Sequence, residues 1–211
     1  ANALGISLRT IAAWEAKKSL FKNEDFEDTI TRTLVAWIKN RIRGNSTIAW
    51  GVNSQPEILE EGVDGIGRII GRCDLTISVA SVEYIYECKR LWPEGQSELF
   101  TESARLYITT GLYRFLYPSD KQLTSEPQYP SWLKFAGMIG YIMDGREAEA
   151  FAAIQFAIDK HEPAQCLESS CLPTCPAEGA RHFYSTHRSC AQKAVHAHHI
   201  LLPLSSSSPP Q

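Results

Sequence analysis

The chain has 211 residues, a hydrophobic share of 44% and a formal net charge of −3 at pH 7. The length predicts one domain with small attachments, and the composition supports a sizeable core. The charge excludes a strongly basic nucleic-acid clamp, because non-catalytic binders rely on Lys and Arg to displace counterions. No run of 18 apolar residues is present, which predicts no transmembrane helix and no membrane partner. Six sparse cysteines, and a start without the features of a signal peptide, predict a reducing cytoplasm.

Residues 1–22 are predicted to form an N-terminal helical segment. Residues 3–15 read ALGISLRTIAAWE, which is similar to the second half of a helix-turn-helix, with Leu-Gly-Ile-Ser as the turn. Ser7 would then cap a helix that turns Ile11 and Trp14 inward. A plain capped amphipathic helix is the other interpretation, and it is favoured because half a motif cannot bury its own core.

The best-marked helix is predicted over residues 23–44. Asn23 is a suitable N-cap, and Gly44 is a suitable end after a basic last turn. The apolar residues of this segment fall on one helical stripe, which should face the core. These residues are Phe26, Ile30, Leu34, Trp37 and Ile38.

Strands are predicted to follow. Residues 47–52 read as a strand, and the polar residues 53–64 read as a loop. A strand is then predicted over residues 66–79, kinked or bulged at Gly71, with residues 83–91 as its partner.

The second half of the chain continues with a long helix over residues 97–117 and a polar loop over residues 119–129. The apolar residues 132–143 predict a buried strand, and the alanine-rich residues 147–160 predict a helix. The fold class is therefore α/β, or α+β, because the order of elements does not alternate as in a doubly wound sheet.

The C-terminal region changes in character. Residues 161–204 form a Cys/His-containing extension, in which residues 182–187 and 195–204 could pair as a hairpin. Residues 205–211 have the composition of a disordered tail. Histidines that alternate along such a strand predict a polar face, although His187 and Arg188 could also touch phosphate.

Three charged residues stand out in the strand region. Glu87 and Lys89 are two residues apart, so they share one face of a strand. A hairpin that turns at residues 80–81 would place Asp74 opposite Glu87 on that face. A solvated edge hairpin is the other interpretation, but the neighbouring apolar residues predict that both faces are covered. A divalent metal would compensate such a cluster.

At these residues the chain resembles the PD-(D/E)xK superfamily of restriction-endonuclease-like nucleases, with Asp74 followed by Glu87-Cys88-Lys89. Cys73 stands where the family usually has proline. The resemblance implies an αβββαβ core over residues 23–160, with a mixed central sheet flanked by helices and followed by the hairpin extension. It also implies that Asp74 and Glu87 bind Mg²⁺, or alternatively Mn²⁺, and that Lys89 assists the attacking water.

The resemblance further implies hydrolysis of DNA to a 5′-phosphate and a 3′-hydroxyl, with RNA as the alternative substrate. Defence against foreign DNA, such as phage restriction, is the usual setting of the family. A homodimer is expected for duplex cutting, because one site cuts one strand. Burial would depress the pKa of Lys89.

Other residues could complete the site. Glu27 flanks the apolar stripe of the first long helix and is our choice for a further catalytic and metal-binding carboxylate. Glu24 is its rival one turn earlier, and three glutamates of the predicted loop stay open: Glu57, Glu60 and Glu61. Tyr107 and Arg114 share a face of the later helix and could contact phosphate, but a core tyrosine and a solvated arginine are favoured.

Two other functions stay open. The first is a nucleic-acid-binding or regulatory module with a degenerate site. The second is a zinc-stabilised interaction protein, whose ligands would come from the C-terminal extension. The spacings of its cysteines do not match the paired knuckles of strong zinc sites, which favours loop thiols instead. The residues concerned are Cys166, Cys171, Cys175, His182, His187 and Cys190.

Overall fold

The computed structural model describes most of the chain. It covers residues 2–22, 25–45, 50–61, 67–79, 82–91, 100–117, 129, 135–161, 168–170, 181–189 and 193–204. Within these ranges the protein is mixed α/β, as the sequence predicts. No described helix is both long enough and apolar enough to cross a membrane.

Helices and strands follow one another in an irregular order. The helices are α1 (Asn2–Lys17), α2 (Glu27–Asn45), α3 (Phe100–Leu106), α4 (Tyr113–Leu116) and α5 (Glu147–His161), and a π-helical turn, Tyr107–Leu112, joins α3 to α4. The strands are β1 (Trp50–Ser54), β2 (Glu57–Glu61), β3 (Gly67–Arg72), β4 (Leu75–Val79), β5 (Val82–Leu91), β6 (Phe135–Ile142), β7 (Glu168–Ser170), β8 (Arg181–Arg188) and β9 (Ala194–Pro203).

The main sheet has seven described strands in the order β1-β4-β5-β6-β9-β8-β7. The first three strands are antiparallel neighbours, and β6 then lies parallel to both β5 and β9. The predicted C-terminal hairpin is confirmed as β8 and β9, and it continues this sheet through the pairing of β9 with β6. Strands β2 and β3 form a separate antiparallel pair.

Both faces of the sheet are covered, because successive residues of β5 enter different cores. Tyr86 and Cys88 pack in the core that α1 and α2 contribute to, whereas Ile85 and Leu91 pack in the core formed with α3 to α5. This alternation is the period-2 pattern of a strand buried on both faces. Glu87 and Lys89 therefore lie on the α3 side.

The beginning of the chain differs from the sequence prediction. Helix α1 runs without a break from Asn2 through residues 4–7, so the helix-turn-helix interpretation is wrong and Ser7 is not its cap. Helix α2 begins at Glu27 rather than at residue 23, because Asp25 accepts a hydrogen bond from the Lys22 N–H and holds a turn there (2.8 Å). Phe26 therefore precedes the helix and is 75% exposed instead of buried.

The strand region also needs correction. The predicted loop over residues 53–64 contains β2, whose backbone pairs with β3. The single strand predicted over residues 66–79 is two strands in different sheets, with the break at Cys73 and Asp74. Pairing between strands decides both cases, and the local residue pattern does not report it. The bulge predicted at Gly71 is confirmed, because Ile58 pairs with Gly71 and Leu59 with Ile69.

Four of the five histidines in the C-terminal hairpin are buried and so do not form a polar face, and only His196 is exposed. His198 and His199 are buried, and each accepts or donates one hydrogen bond to a buried tyrosine hydroxyl, Tyr86 at 2.8 Å and Tyr107 at 3.0 Å. His199 also bonds the hydroxyl of Ser185 at 2.8 Å. These tyrosine partners satisfy ring nitrogens that would otherwise be costly to bury.

Candidate functional site

The site lies at the start of β4, beyond which β5 has no strand partner on its β4 edge. Cys88 and Arg90 are two residues apart, so their N–H groups point to the same edge of β5. The Asp74 carboxylate accepts the Cys88 N–H at 2.7 Å, and the Glu27 carboxylate accepts the Arg90 N–H at 2.8 Å. Two acidic side chains thus accept the backbone N–H groups that a further strand would otherwise bind, and these hydrogen bonds hold both carboxylates at the start of β4.

The predicted register is confirmed. Leu75 pairs with Tyr86 and Val79 with Val82, so continuing the ladder by one residue brings Asp74 opposite Glu87. The turn residues 80–81 themselves lie outside the described part. Alternation then turns Glu87 and Lys89 to the same side of β5.

Lys89 connects the three carboxylates. Its Nζ lies 3.4 Å from Oε1 of Glu27, 3.8 Å from Oδ2 of Asp74 and 3.7 Å from Oε2 of Glu87. The Lys89 side chain is only 19% exposed, so these interactions are weakly screened by solvent. The structure therefore brings together all four residues that the sequence selects for the site.

Glu87 is the most deeply buried member, with no exposed side-chain surface. Its Oε2 accepts a hydrogen bond from Nη1 of Arg114 at 2.7 Å, and its Oε1 accepts one from the Tyr129 hydroxyl. Glu87 therefore does not lie on a solvated strand face, which is the other interpretation of the sequence. The two donors hold the carboxyl in one orientation beside Lys89.

Arg114 and Tyr129 are the residues that sequence reasoning missed. Arg114 is in contact with Glu87 rather than simply solvated, whereas Tyr107 is a core tyrosine as favoured. Tyr129 falls at the end of a segment predicted as a polar loop, yet it is 1% exposed and packs against Phe115. An aromatic residue at the end of a polar stretch was the only signal available for it.

The electrostatics reflect crowding of like charges. Burial, together with the nearby Asp74 carboxylate, raises the pKa of Glu87 to about 8, although Arg114 and Lys89 oppose the rise. Burial also raises the pKa of Glu27. Burial alone would lower the pKa of Lys89, but Glu27, Asp74 and Glu87 outweigh it and raise this pKa, so the depressed value expected from the sequence is wrong.

The raised pKa of Glu87 predicts an unusual pH dependence of stability. The folded state binds this proton more tightly than the unfolded state, so stability is lost as the pH rises from about 4.5 to about 8. We expect a loss on the order of 4 kcal/mol from this group across that window. Urea unfolding of the wild type and of Glu87→Gln, measured in EDTA at several pH values, isolates the contribution of Glu87 to the free energy of unfolding. The glutamine variant keeps every other titrating group. If the free energy of unfolding changed with pH in the same way for the two proteins, the prediction would be wrong.

A metal would have to use the same carboxylates. Among the described residues, no group of three or more His, Cys, Asp and Glu side chains is arranged to share an ion. The Lys89 ammonium stands among the three carboxylates at the distances given above. Carboxylate oxygens are nevertheless the donors that Mg²⁺ prefers, and the mutual repulsion that raises the pKa of Glu87 is what a divalent cation would relieve. In kind, Asp74, Glu87 and Glu27 fit this ion.

The other predicted participants are not part of the site as described. Glu24 lies outside the described residues, as do four cysteines of the zinc hypothesis: Cys166, Cys171, Cys175 and Cys190. The side chains of the three loop glutamates are also outside that part. His187 has no exposed surface and hydrogen-bonds with Ser185, which excludes it from contact with phosphate.

The site combines acidic groups of the kind that bind a cation with an ammonium and a guanidinium of the kind that bind an anion. Three carboxylates and two cationic side chains meet there, on a scaffold fixed by backbone hydrogen bonds. The chain matches no protein-family model, no curated protein and no solved structure. What the site does is therefore inferred from its own geometry.

Proposed function

We propose that this chain is a Mg²⁺-dependent nuclease that hydrolyses DNA. The observation that carries the proposal is the convergence of Asp74, Glu87 and Glu27 on the Lys89 ammonium, at the start of β4. A purely structural ion pair needs one acid and one base, whereas here three carboxylates meet one ammonium and one guanidinium, so the acidic groups outnumber the basic ones. Such an excess of part-buried acidic groups is typical of a site that takes up a cation.

The order of elements supports a restriction-endonuclease-like core. Helix α2 precedes three antiparallel strands, β1, β4 and β5, and the α3 segment then crosses over to β6, which is parallel to β5. This is the αβββαβ order if β2 and β3 are counted as an insertion. The carboxylates of the site come from α2, from the start of β4 and from β5, which are the elements that this core would use.

In the proposed mechanism Asp74, Glu87 and Glu27 would hold Mg²⁺, or Mn²⁺ in its place. The bound ion would polarise the phosphodiester and lower the pKa of a water molecule. In the protein without metal, the three carboxylate neighbours raise the pKa of Lys89 and keep it protonated, so it is positioned as a hydrogen-bond donor rather than as a base. From this position it orients the attacking water and stabilises negative charge on the phosphate. Arg114 and Tyr129 hold Glu87 in place.

Lys89→Ala tests this role directly. We expect the variant to fold and to lose cleavage by about 10²-fold or more, as for other single electrostatic stabilisers. Supercoiled plasmid, linear duplex, single-stranded DNA and RNA are incubated with the protein and Mg²⁺, with and without EDTA. Lys160→Ala is the matched control, because Lys160 lies over the Phe156 ring on α5, away from the cluster.

Two results would contradict the proposal. One is wild-type protein that cleaves none of the four substrates with Mg²⁺ or Mn²⁺. The other is a Lys89→Ala variant that cleaves at the wild-type rate. Cleavage of RNA alone would keep the chemistry and change the substrate.

A degenerate, non-catalytic module is the second candidate, and one observation favours it. Both oxygens of Glu87 already have donors, Arg114 and Tyr129, so the cluster is partly neutralised without any metal. Isothermal titration with Mg²⁺ or Mn²⁺ separates the candidates, because the degenerate module would show no heat of binding that depends on Asp74. A homodimer and a role in defence against foreign DNA remain predictions from the resemblance.

A further inference from the structure

A second feature of α2 lies on its flank next to the end of α1. Ile30, Leu34 and Ile38 bury one face of this helix, and the adjoining flank carries polar, aromatic and basic residues, of which Trp37 is half-buried and packs against the core. We name this surface the outer track and define it by six residues: Phe26, Arg32, Thr33, Trp37, Asn40 and Lys17 from the end of α1. All of them except Phe26 line a groove of about 400 Å³ between the two helices.

The outer track begins beside the candidate active site. Phe26 immediately precedes Glu27, which contacts Lys89. Its backbone is fixed, since its carbonyl accepts the N–H groups of Thr29 at 2.9 Å and Ile30 at 3.2 Å, while its ring is 75% exposed. A large apolar ring held out into solvent costs stability, and exposed aromatic residues of this kind are typical of binding surfaces.

The residues of the outer track repeat at helical spacing. Thr33, Trp37 and Asn40 are separated by four and three positions, so they follow one line along α2, and Phe26 stands immediately before the first turn of this helix. Phe26 and Trp37 are about 16 Å apart along the helix axis at 1.5 Å per residue. Two aromatic rings at this separation match bases that are a few nucleotides apart on an extended strand rather than one small ligand.

The charge of the groove identifies the chemistry of its occupant. Lys17 and Arg32 line it, and its lining includes no carboxylate among the described residues, although the whole chain is acidic. Cations next to aromatic rings bind the phosphates and the bases of single strands, whose π-faces are accessible only when the bases are unpaired. Duplex DNA could bind Lys17 and Arg32 through its phosphates, but its paired bases could not stack on Phe26.

We propose that the outer track binds single-stranded DNA and guides it toward Glu27, Asp74 and Lys89. This inference rests on the proposed nuclease function, because it names the substrate class of that site. The bases stack on Phe26 and Trp37, and the phosphates lie against Lys17 and Arg32.

The test is the fluorescence anisotropy of a short labelled single-stranded DNA, titrated with the full chain in EDTA so that no cleavage occurs. Phe26→Ala should weaken binding about tenfold or more, because a lost base–aromatic contact has an effect of this size. The double variant Lys17→Gln, Arg32→Gln should weaken binding and reduce its salt dependence. The matched controls are Phe156→Ala and Lys160→Gln on α5, where Phe156 is also exposed, and both should bind as the wild type.

Wild-type affinity in Phe26→Ala, or duplex DNA that binds more tightly than the single strand, would overturn the outer track. Because Phe26 is exposed, loss of folding cannot explain a defect in this variant, and circular dichroism checks that point. If Phe26→Ala weakened binding of single-stranded DNA but the wild type cleaved no DNA in Mg²⁺, only the nuclease proposal would be overturned. If the wild type cleaved DNA and Phe26→Ala bound the single strand with wild-type affinity, only the proposal for the outer track would be overturned.

Discussion

Asp74→Asn is expected to lower the rate of DNA cleavage by about 10³-fold while the protein stays folded. Asparagine keeps an oxygen that can accept the Cys88 N–H, so the backbone at the start of β4 should not move. It removes a full negative charge next to Lys89 and from the proposed metal ligands, and transition-state stabilisation of about 4 kcal/mol corresponds to this factor. Single-turnover rates with Mg²⁺ and thermal melting of the same samples measure both halves of the prediction.

Asp144→Asn is the matched control. Asp144 also accepts a backbone N–H, from Arg146 at 3.1 Å, and it pairs with the Arg146 guanidinium. Its side chain is 16% exposed, close to the 22% of Asp74, but it lies in the turn between β6 and α5. We expect near wild-type cleavage from Asp144→Asn. If Asp74→Asn cleaved as fast as this control, the assignment of the site would be wrong.

A more severe change at the same position separates metal binding from catalysis. Asp74→Ala should also lose the heat of Mg²⁺ binding, because the carboxylate itself is gone. Lys89→Ala should keep that heat and lose only cleavage. Equal titration curves for Asp74→Ala and the wild type would mean that Asp74 holds no metal.

The geometry of the charged cluster was predictable because it depends on two local rules. Alternation places Glu87 and Lys89 on one face, and a short hairpin fixes which residue lies opposite Glu87. Glu27 followed from its position beside the apolar stripe of the first long helix, one turn from Ile30. Tyr129 was not predictable, since its contact with Glu87 spans 42 positions and arises only after the helices have packed on the sheet.

The fold was predictable where a segment carries its own pattern. Strand β6, helix α5 and the C-terminal hairpin appear as expected, because runs of apolar or alternating residues define them locally. Strand β2 has no such pattern and exists through its pairing with β3. The start of α2 depends on one hydrogen bond of Asp25, which competes with the predicted cap at residue 23.

The sequence also offers little indication that helix α1 contacts the end of strand β9. Trp14 of α1 has no exposed surface, and its indole Nε1 donates a hydrogen bond to the carbonyl of Pro203 at 2.7 Å. Its ring stacks between Phe21 and Tyr141, with centroids 5.4 Å and 5.6 Å away. The N-terminal helix is thereby bonded to the last residue of β9 and packed on β6, at the middle of the sheet.

Trp14→Ala is therefore expected to lower the free energy of unfolding by about 3–5 kcal/mol, as for other large aromatic residues removed from a core. Trp14→Phe should lose about 1 kcal/mol through the hydrogen bond to Pro203, and more if the smaller ring packs loosely. Urea unfolding followed by circular dichroism measures these changes.

Leu20→Ala is the control for this change, because Leu20 follows α1 closely but is 62% exposed, and it should stay within about 0.5 kcal/mol of the wild type. If the N-terminal segment could detach without unfolding the rest of the protein, Trp14→Ala would lower the free energy of unfolding no more than Leu20→Ala does. A single cooperative transition whose midpoint falls sharply in Trp14→Ala would instead show that α1, β6 and β9 unfold together. The outer track would then lie on a rigid part of the molecule, since Lys17 belongs to the same helix as Trp14.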